Sequence, residues 1–368
     1  MFLRMQTMTA VLLAVSFATA AAPAMAQAEP AAREPFLDVG GAVRFSYGWT
    51  DFGPDTDVEL ELVRVDLSCG AGRITCSLQH RWYDGFDTLQ HAWVGWEPDD
   101  SQRIRAGVQQ VPFGLLPVAS HSFWFGSGYY LGLEDDYDLG VAWKRERDGW
   151  RHDLAVFVSD EYGTGRRHER YSFDVATVEA HPYRERERVV GRIGRTLDHG
   201  EWTLDLGASA SLGRIERRPD GRHFDHHAGA LHAMATRGPL ELQAQWIRYR
   251  YDVPGNRIAL SAFGAPFEVA AEADVFTGNV AWTFEPAGWF DSITCYNDAS
   301  STRVHGTRLA DSIQNVTGCS FSRGPMVAYL DWIAGRNMWF AGGPGIGIVD
   351  EANAGWHSRL NLNVGFYF

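Results

Sequence analysis

From about residue 36 to its last residue, the chain alternates apolar and polar side chains with period two. In Trp356–Phe368 one face carries Trp356, Leu360, Leu362, Val364, Phe366 and Phe368, and the other His357, Arg359, Asn361, Asn363 and Gly365. Trp202–Leu212 repeats the pattern, as do Leu240–Trp246 and Val39–Trp49. Successive side chains leave a pleated strand on opposite faces, so a period of two predicts strands that are apolar on one side only. About sixteen such segments follow one another, from 36–50 to 355–368, with 268–285 read as a single long one.

A soluble sandwich also alternates, so the connections decide the fold class. Every second connection is short: Gly70–Gly72, Glu97–Ser101, Arg147–Gly149, Asp198–Gly200, Arg237–Pro239, Glu285–Gly288 and Arg323–Pro325. Gly, Pro and Asp supply the turn chemistry in these stretches. The intervening connections are long, the largest at 111–135, 160–185, 252–267 and 339–354. Outer-membrane barrels separate short periplasmic turns from long external loops in this way. An even strand count places both ends of the wall on the short-turn side. Trp and Tyr gather near segment ends, for example Trp49, Trp82, Trp96, Trp150, Trp282 and Trp356, where a membrane interface favours amphipathic rings. The sequence therefore predicts an all-β, transmembrane antiparallel β-barrel over residues 27–368.

Residues 1–26 read as a cleaved export signal: Arg4, an apolar run from about Ala10 to Ala22, then Ala24-Met25-Ala26. No later stretch is apolar for the ~18–20 residues a membrane helix needs, which leaves a closed barrel as the way to cross lipid. Thirty-three Lys and Arg against 46 Asp and Glu give a net charge of −13, which argues against a nucleic-acid partner. The expected partners are outer-membrane lipid and small hydrophilic solutes.

A barrel of this size encloses an aqueous lumen. Parity points Arg44, Arg64, Arg73, Arg81, Arg103, Arg105, Lys144, Arg151, Arg188 and Arg192 into it, with Asp66, Asp153, Asp205, Glu241 and Asp331. The phase breaks at Leu62-Val63, and a slip of one residue reverses every later assignment. The loop from Val111, with Phe113 near its start, is rich in aromatics and Gly and ends in Glu134, Asp135 and Asp136, with Asp138 just beyond. Such an apolar loop is expected to fold inward over 111–138 and narrow the lumen. Its acids would then face the arginines of the early strands, Arg44, Arg81 and Arg105, across the gap. Opposed charges in a narrow, low-dielectric gap orient and screen solutes.

Two stretches carry a family resemblance. Arg105-Ala106-Gly107-Val108-Gln109-Gln110-Val111-Pro112-Phe113-Gly114 is a strand running into a V-P-F-G loop. Tyr137-Asp138-Leu139-Gly140 opens the next strand. With the terminal Phe-Tyr-Phe of Phe366–Phe368, the chain resembles a Gram-negative outer-membrane porin of the phosphate-selective porin O/P family. The resemblance implies sixteen strands, a trimer, and inward loops whose arginines and lysines pass anions. The chain departs from that pattern in having a single lysine, Lys144, with no lysine cluster on the candidate loop. A general or weakly selective solute channel is the function expected. Arg184, Arg186, Arg188 and Arg192 alternate with Glu185 and Glu187 and read as a solvated, paired strand end.

Cys69 and Cys76 flank one tight turn, and Cys295 and Cys319 flank one loop, so two local disulfides, 69–76 and 295–319, are expected in an oxidising compartment. No C-x-x-C pair or histidine spacing suggests a metal, and Glu134-Asp135-Asp136 reads as a solvated acid run. No cofactor motif and no catalytic motif occurs. The alternatives are a barrel enzyme of the lipid-hydrolase type, or a non-conducting structural or periplasmic β protein.

Overall fold

The computed structural model describes residues 33–53, 57–161, 168–286, 288–305 and 308–368. The segment read as an export signal lies outside the described residues. Strands β1 (Arg33–Thr50), β2 (Glu59–Gly72), β3 (Ile74–Tyr83), β4 (Phe86–Asp99), β5 (Gln102–Gln110), β6 (Tyr137–Arg147) and β7 (Trp150–Asp160) pair in chain order, from β1 with β2 to β6 with β7. A two-residue strand, β8 (Asp174–Val175), stands apart from the wall. The wall resumes with β9 (Tyr183–His199), β10 (Trp202–Arg217), β11 (Arg222–Arg237) and β12 (Leu240–Tyr251). A separate hairpin, β13 (Arg257–Ala262) and β14 (Ala265–Ala270), precedes β15 (Glu272–Phe284), β16 (Ser292–Arg303), β17 (Ser312–Arg323) and β18 (Met326–Arg336). A second short strand, β19 (Gly345–Ile346), comes before β20 (Trp356–Tyr367).

Sixteen of these strands form one closed antiparallel barrel. The seam is the pairing of β1 with β20, from Ala42 opposite Tyr367 to Thr50 opposite Arg359. Closure leaves no free strand edge, the condition for a sheet to stand in hydrocarbon. The faces divide as the alternation predicts. Leu154, Val156 and Val158 on β7, Leu206 and Leu212 on β10, and Phe276, Val280 and Trp282 on β15 are exposed on the outside. Asp153, Ala155 and Phe157, one residue out of phase on β7, are buried inside.

The phase break in β2 is a bulge. Arg44 lies opposite Leu62 but Phe45 lies opposite Leu60, which inserts Glu61. Leu62 is therefore buried, while Val63 faces outward. Cys69 pairs with Cys76 across β2 and β3, and Cys295 with Cys319 across β16 and β17, with Cα separations of 5.0 and 4.0 Å.

One segment departs from the sequence reading. Residues 268–285 do not form one strand, and 252–267 is not simply a loop. Arg257–Ala270 folds as the β13–β14 hairpin and joins β8 and β19 in a four-stranded sheet made by the long loops. Neither Gly nor Pro marks the break between Ala270 and Glu272, so alternation runs through it unpunctuated. Ile258, Leu260, Val269 and Ile346 are fully buried in this sheet, and Phe173 and Phe267 extend its core toward Tyr129 and Tyr130 of the loop after β5.

The division of faces is testable by substitution. Val141 is 51% exposed on the outer face near the middle of β6. Val141→Arg is expected to destabilise the barrel in lipid vesicles by about 2–4 kcal/mol. Thr75→Arg on the inner face of β3 is expected to cost within about 1 kcal/mol. Urea unfolding of vesicle-inserted protein followed by Trp fluorescence measures both.

Candidate functional site

The chain leaves the wall after β5, where Val111 N donates to Asp136 O at 2.8 Å, and crosses the interior before returning at β6. Backbone and side-chain groups of the segment attach it to the opposite wall. Gly114 N donates to Ser209 Oγ on β10 at 3.0 Å and Leu115 N to Gln245 Oε1 on β12 at 2.7 Å. Asn279 Nδ2 on β15 donates to Ala119 O at 2.8 Å. Gly114 explains part of the V-P-F-G motif: its φ is +67°, and a Cβ there would lie 2.5 Å from Gln245 Oε1. The positive φ favours glycine there, and a Cβ would push away the Gln245 amide that holds the segment.

Asp298 on β16 is the densest attachment. Its Oδ2 accepts from Ser120 Oγ at 2.8 Å, His121 N at 2.6 Å and Ser122 N at 2.9 Å. Its Oδ1 lies 2.8 Å from His121 Nδ1, and His121 Nε2 lies 3.0 Å from Glu241 Oε1. Burial alone would lower the imidazole pKa, but the hydrogen bonds to Asp298 and Glu241 carry it up to about 9. His121 is thus a cation between two carboxylates at neutral pH. A one-turn helix, α1 (Ser127–Tyr130), follows, and Ser127 N donates to Ser300 Oγ at 2.9 Å. Gln314 Nε2 on β17 donates to Phe125 O at 2.8 Å.

The acids at the end of the segment are not a solvated run. Glu134 is 3% exposed; its Oε1 accepts from Gln245 Nε2 at 2.5 Å and its Oε2 from Ala119 N at 3.2 Å. Burial pushes its pKa up to about 8. Asp135 accepts a hydrogen bond from Tyr171 at 2.5 Å and is pushed up to about 6 by burial. Asp136 and Asp138 both accept from Arg188 on β9. The expected confrontation of these acids with Arg44, Arg81 and Arg105 is therefore corrected. Only Asp135 approaches that wall, through Tyr171, whose ring lies 4.4 Å from the Arg81 guanidinium carbon. The segment rejoins the wall at β6, beside β7 and β9, before the other acids can cross.

The basic residues fall into three groups. Arg188 and Arg192 lie behind the segment: Arg192 Nε donates to Gly114 O at 2.9 Å, and its Nη1 to Asp153 at 3.2 Å. Phe113 is buried in the same region. Near the short turns, Arg73 donates to Glu97 O and Pro98 O, Arg103 lies 3.6 Å from Glu97, Lys144 pairs with Glu146 at 2.9 Å, and Arg151 pairs with Asp205. The third group is on the open side. Arg44 pairs with Glu61 at 2.6 Å, Arg64 with Asp66 at 2.7 Å, and Arg64 and Arg81 sit opposite each other in register. Arg105 lies 3.9 Å above the Trp93 ring.

A cavity of roughly 780 Å³ runs between the crossing segment and the walls of β1–β3, β18 and β20. Arg44, Arg81 and Arg359 line it, together with Glu59, Glu61 and Asp84 and a wall of aromatic rings that includes Phe123, Trp124, Tyr171 and Tyr329. Arg359 donates to Phe340 O at 2.9 Å and lies 4.0 Å above the Trp124 ring. Among the described residues, Arg81, Arg105 and Arg359 have no carboxylate in ion-pair contact. Arg359 was visible by parity beside Asn361 and Asn363. Asp298 carried no local signal, because its partners lie 176–178 residues away.

The phosphate-selective porin O and P family matches residues 64–269. No curated protein matches the sequence. The fold is similar to the outer-membrane channel DcaP of Acinetobacter baumannii, with a TM-score of 0.63 and 11% identity over 91% of this chain and 98% of that one. OmpT of Vibrio cholerae in its trimer form gives 0.57 and 12% over 91% and 100%. An anion-selective porin from Comamonas acidovorans gives 0.56 and 10% over 91% and 100%. The family match spans more than half of the chain and the barrel, with its water-accessible interior, spans the described part of it. The chain belongs to the phosphate-selective porin O and P family and is an outer-membrane porin that forms a channel for small hydrophilic solutes.

Proposed function

We propose that this porin passes small hydrophilic anions, and that the 111–138 segment is its constriction. The observation that carries the reading is the set of guanidinium groups on the open side, Arg81, Arg105 and Arg359, that no carboxylate neutralises among the described residues. Charges in a narrow passage with low-dielectric walls act more strongly on a solute than the same charges in open water. The net charge of the whole chain does not contradict this, because many of its acids are buried, paired or on the outside. Arg44 and Arg64, held by Glu61 and Asp66, contribute less field. Arg103 and Lys144 act at the periplasmic exit, where their acidic partners and solvent screen them. The aromatic lining favours organic anions over bare phosphate, since a bare phosphate gains nothing from apolar ring faces.

The passage is read as one without chemistry. Ser77 Oγ lies 2.7 Å from His91 Nε2 on the inner wall, but no carboxylate is hydrogen-bonded to that ring among the described residues. A hydrolytic triad needs such an orienting group.

We also infer that the barrel associates with copies of itself through β16 and β17. Asn297 Nδ2 donates to Asn315 Oδ1 at 3.0 Å and Thr317 Oγ1 at 2.7 Å on the outer face. Amide and hydroxyl groups are costly to leave against hydrocarbon. A second copy presenting the same donors and acceptors can cover them, and OmpT, one of the similar barrels, is known in a trimer form.

Three measurements test these readings. Reversal potentials across a planar bilayer under a KCl gradient are expected to show chloride preferred over potassium, with Arg81→Glu together with Arg359→Glu reversing the preference. A wild-type channel that prefers potassium would end the anion reading. Asp298→Ala removes the main attachment of the constriction, so single-channel conductance and current noise should both rise. The His121 contribution has a defined sign: its pKa is above the usual 6.5, so its stabilisation is complete below that value and is lost as pH rises through about 9. Wild-type noise should therefore grow over that window, and His121→Gln should flatten the growth. For assembly, Asn297→Leu with Asn315→Leu should convert oligomers to monomers on gels run without heating, with unchanged single-barrel conductance.

A further inference from the structure

Charge does not balance where the constriction rejoins the wall beneath the outer loops. Asp136 and Asp138, at the start of β6, are 4% and 1% exposed. Asp160 at the end of β7, the adjacent Glu161, and Asp174 on β8 are buried beside them. Among the described residues, two buried cations, Arg188 and Arg170, meet these five acids, and the carboxyl of Glu185 on β9 acts on the same groups. Arg188 donates to Asp136 and Asp138, and Arg170 donates to Asp160 Oδ2 at 2.7 Å and Asp174 Oδ2 at 3.3 Å. Four carboxylate oxygens remain buried with no hydrogen-bond donor: Asp136 Oδ1, Asp138 Oδ1, Asp160 Oδ1 and Glu161 Oε2. A buried carboxylate oxygen without a donor is costly unless a proton or a cation reaches it.

The spacing favours a cation. One carboxylate oxygen from each of Asp136, Asp138 and Asp174 lies within 4.8 Å of the others. Calcium holds oxygen at about 2.3–2.6 Å, so oxygens that share one ion are at most about 5 Å apart. We propose that Asp136, Asp138 and Asp174 form a calcium site. The donors are all hard carboxylate oxygens, which suits calcium and does not suit zinc, whose structural sites are built on nitrogen and sulfur. Magnesium holds its own water and demands a regular octahedron that two arginines crowd. The ion joins two separate pieces of chain: the stretch where the constriction re-enters the wall, at Asp136 and Asp138, and the outer-loop sheet at Asp174. Its place on the long-loop side of the barrel faces the exterior, where binding at about 10⁻⁴–10⁻³ M is sufficient for such modules.

The test uses the folded full-length barrel in detergent free of lipopolysaccharide, stripped with EGTA. Titration calorimetry with CaCl₂ is expected to show one ion per chain, and the unfolding midpoint by circular dichroism should rise by several degrees in calcium relative to EGTA. Asp138→Asn with Asp174→Asn should abolish both effects. Should that pair fail to fold, Asp174→Asn alone, outside the barrel wall, carries the same test. Equal midpoints in calcium and EGTA for the wild type would mean that protons neutralise the cluster, and the proposal falls. Undiminished calcium binding by a folded variant, or an equal response to MgCl₂, would show general surface binding and also overturn it.

Discussion

Every other feature depends on the closing of β1 onto β20. A backbone N–H or C=O left unpaired in hydrocarbon costs several kcal/mol, and an open sheet would leave a whole row of them. Once the ladder is continuous, each strand has one lipid face and one inner face, and the sequence can treat them as two different solvents. The outer face carries Leu, Val, Phe and Trp. The inner face is free to carry arginines, carboxylates, amides and hydroxyls, because water or a crossing loop can satisfy them there. The polar ladder of Asn297, Asn315 and Thr317 is an exception on the outside.

The interior is divided by that loop into a dry half and a wet half. On the dry side, Arg188 and Arg192 are held by Asp136, Asp138 and Asp153 and by the carbonyl of Gly114, so they position chain rather than solute. On the wet side, Arg44, Arg81 and Arg359 line the cavity, and two of these have only rings, carbonyls or neutral groups as direct partners. The same residue type thus serves two purposes, decided by which side of the loop it falls on. Rings hold the wet-side guanidinium groups in place without neutralising them, since a cation over an aromatic face keeps its charge.

Much of this was readable in the sequence. Period-two alternation and the strict exchange of short and long connections give the sixteen-strand barrel, and the break at Leu62-Val63 is a real bulge. What could not be read is the set of contacts between elements far apart in the chain. Asp298, Gln245 and Ser209 look like ordinary inner-face residues of their strands, and only the path of a loop more than 90 residues distant makes them attachments. The pairing of Asp136 and Asp138 with Arg188 was hidden for the same reason. The β13–β14 hairpin was missed because its second arm runs into β15 with the alternation intact and no turn residue between them.

The attachments of the lumen loop also fix an order of events in biogenesis. Residues 111–136 emerge long before the strands that receive them, and their hydrogen bonds to Ser209, Gln245 and Asp298 span 95, 130 and 176–178 residues. The docking surface is complete only when β16, which carries Asp298, stands in the wall with β10 and β12. The loop therefore cannot be fully seated until β10, β12 and β16 all stand in the wall, whichever way the wall is built.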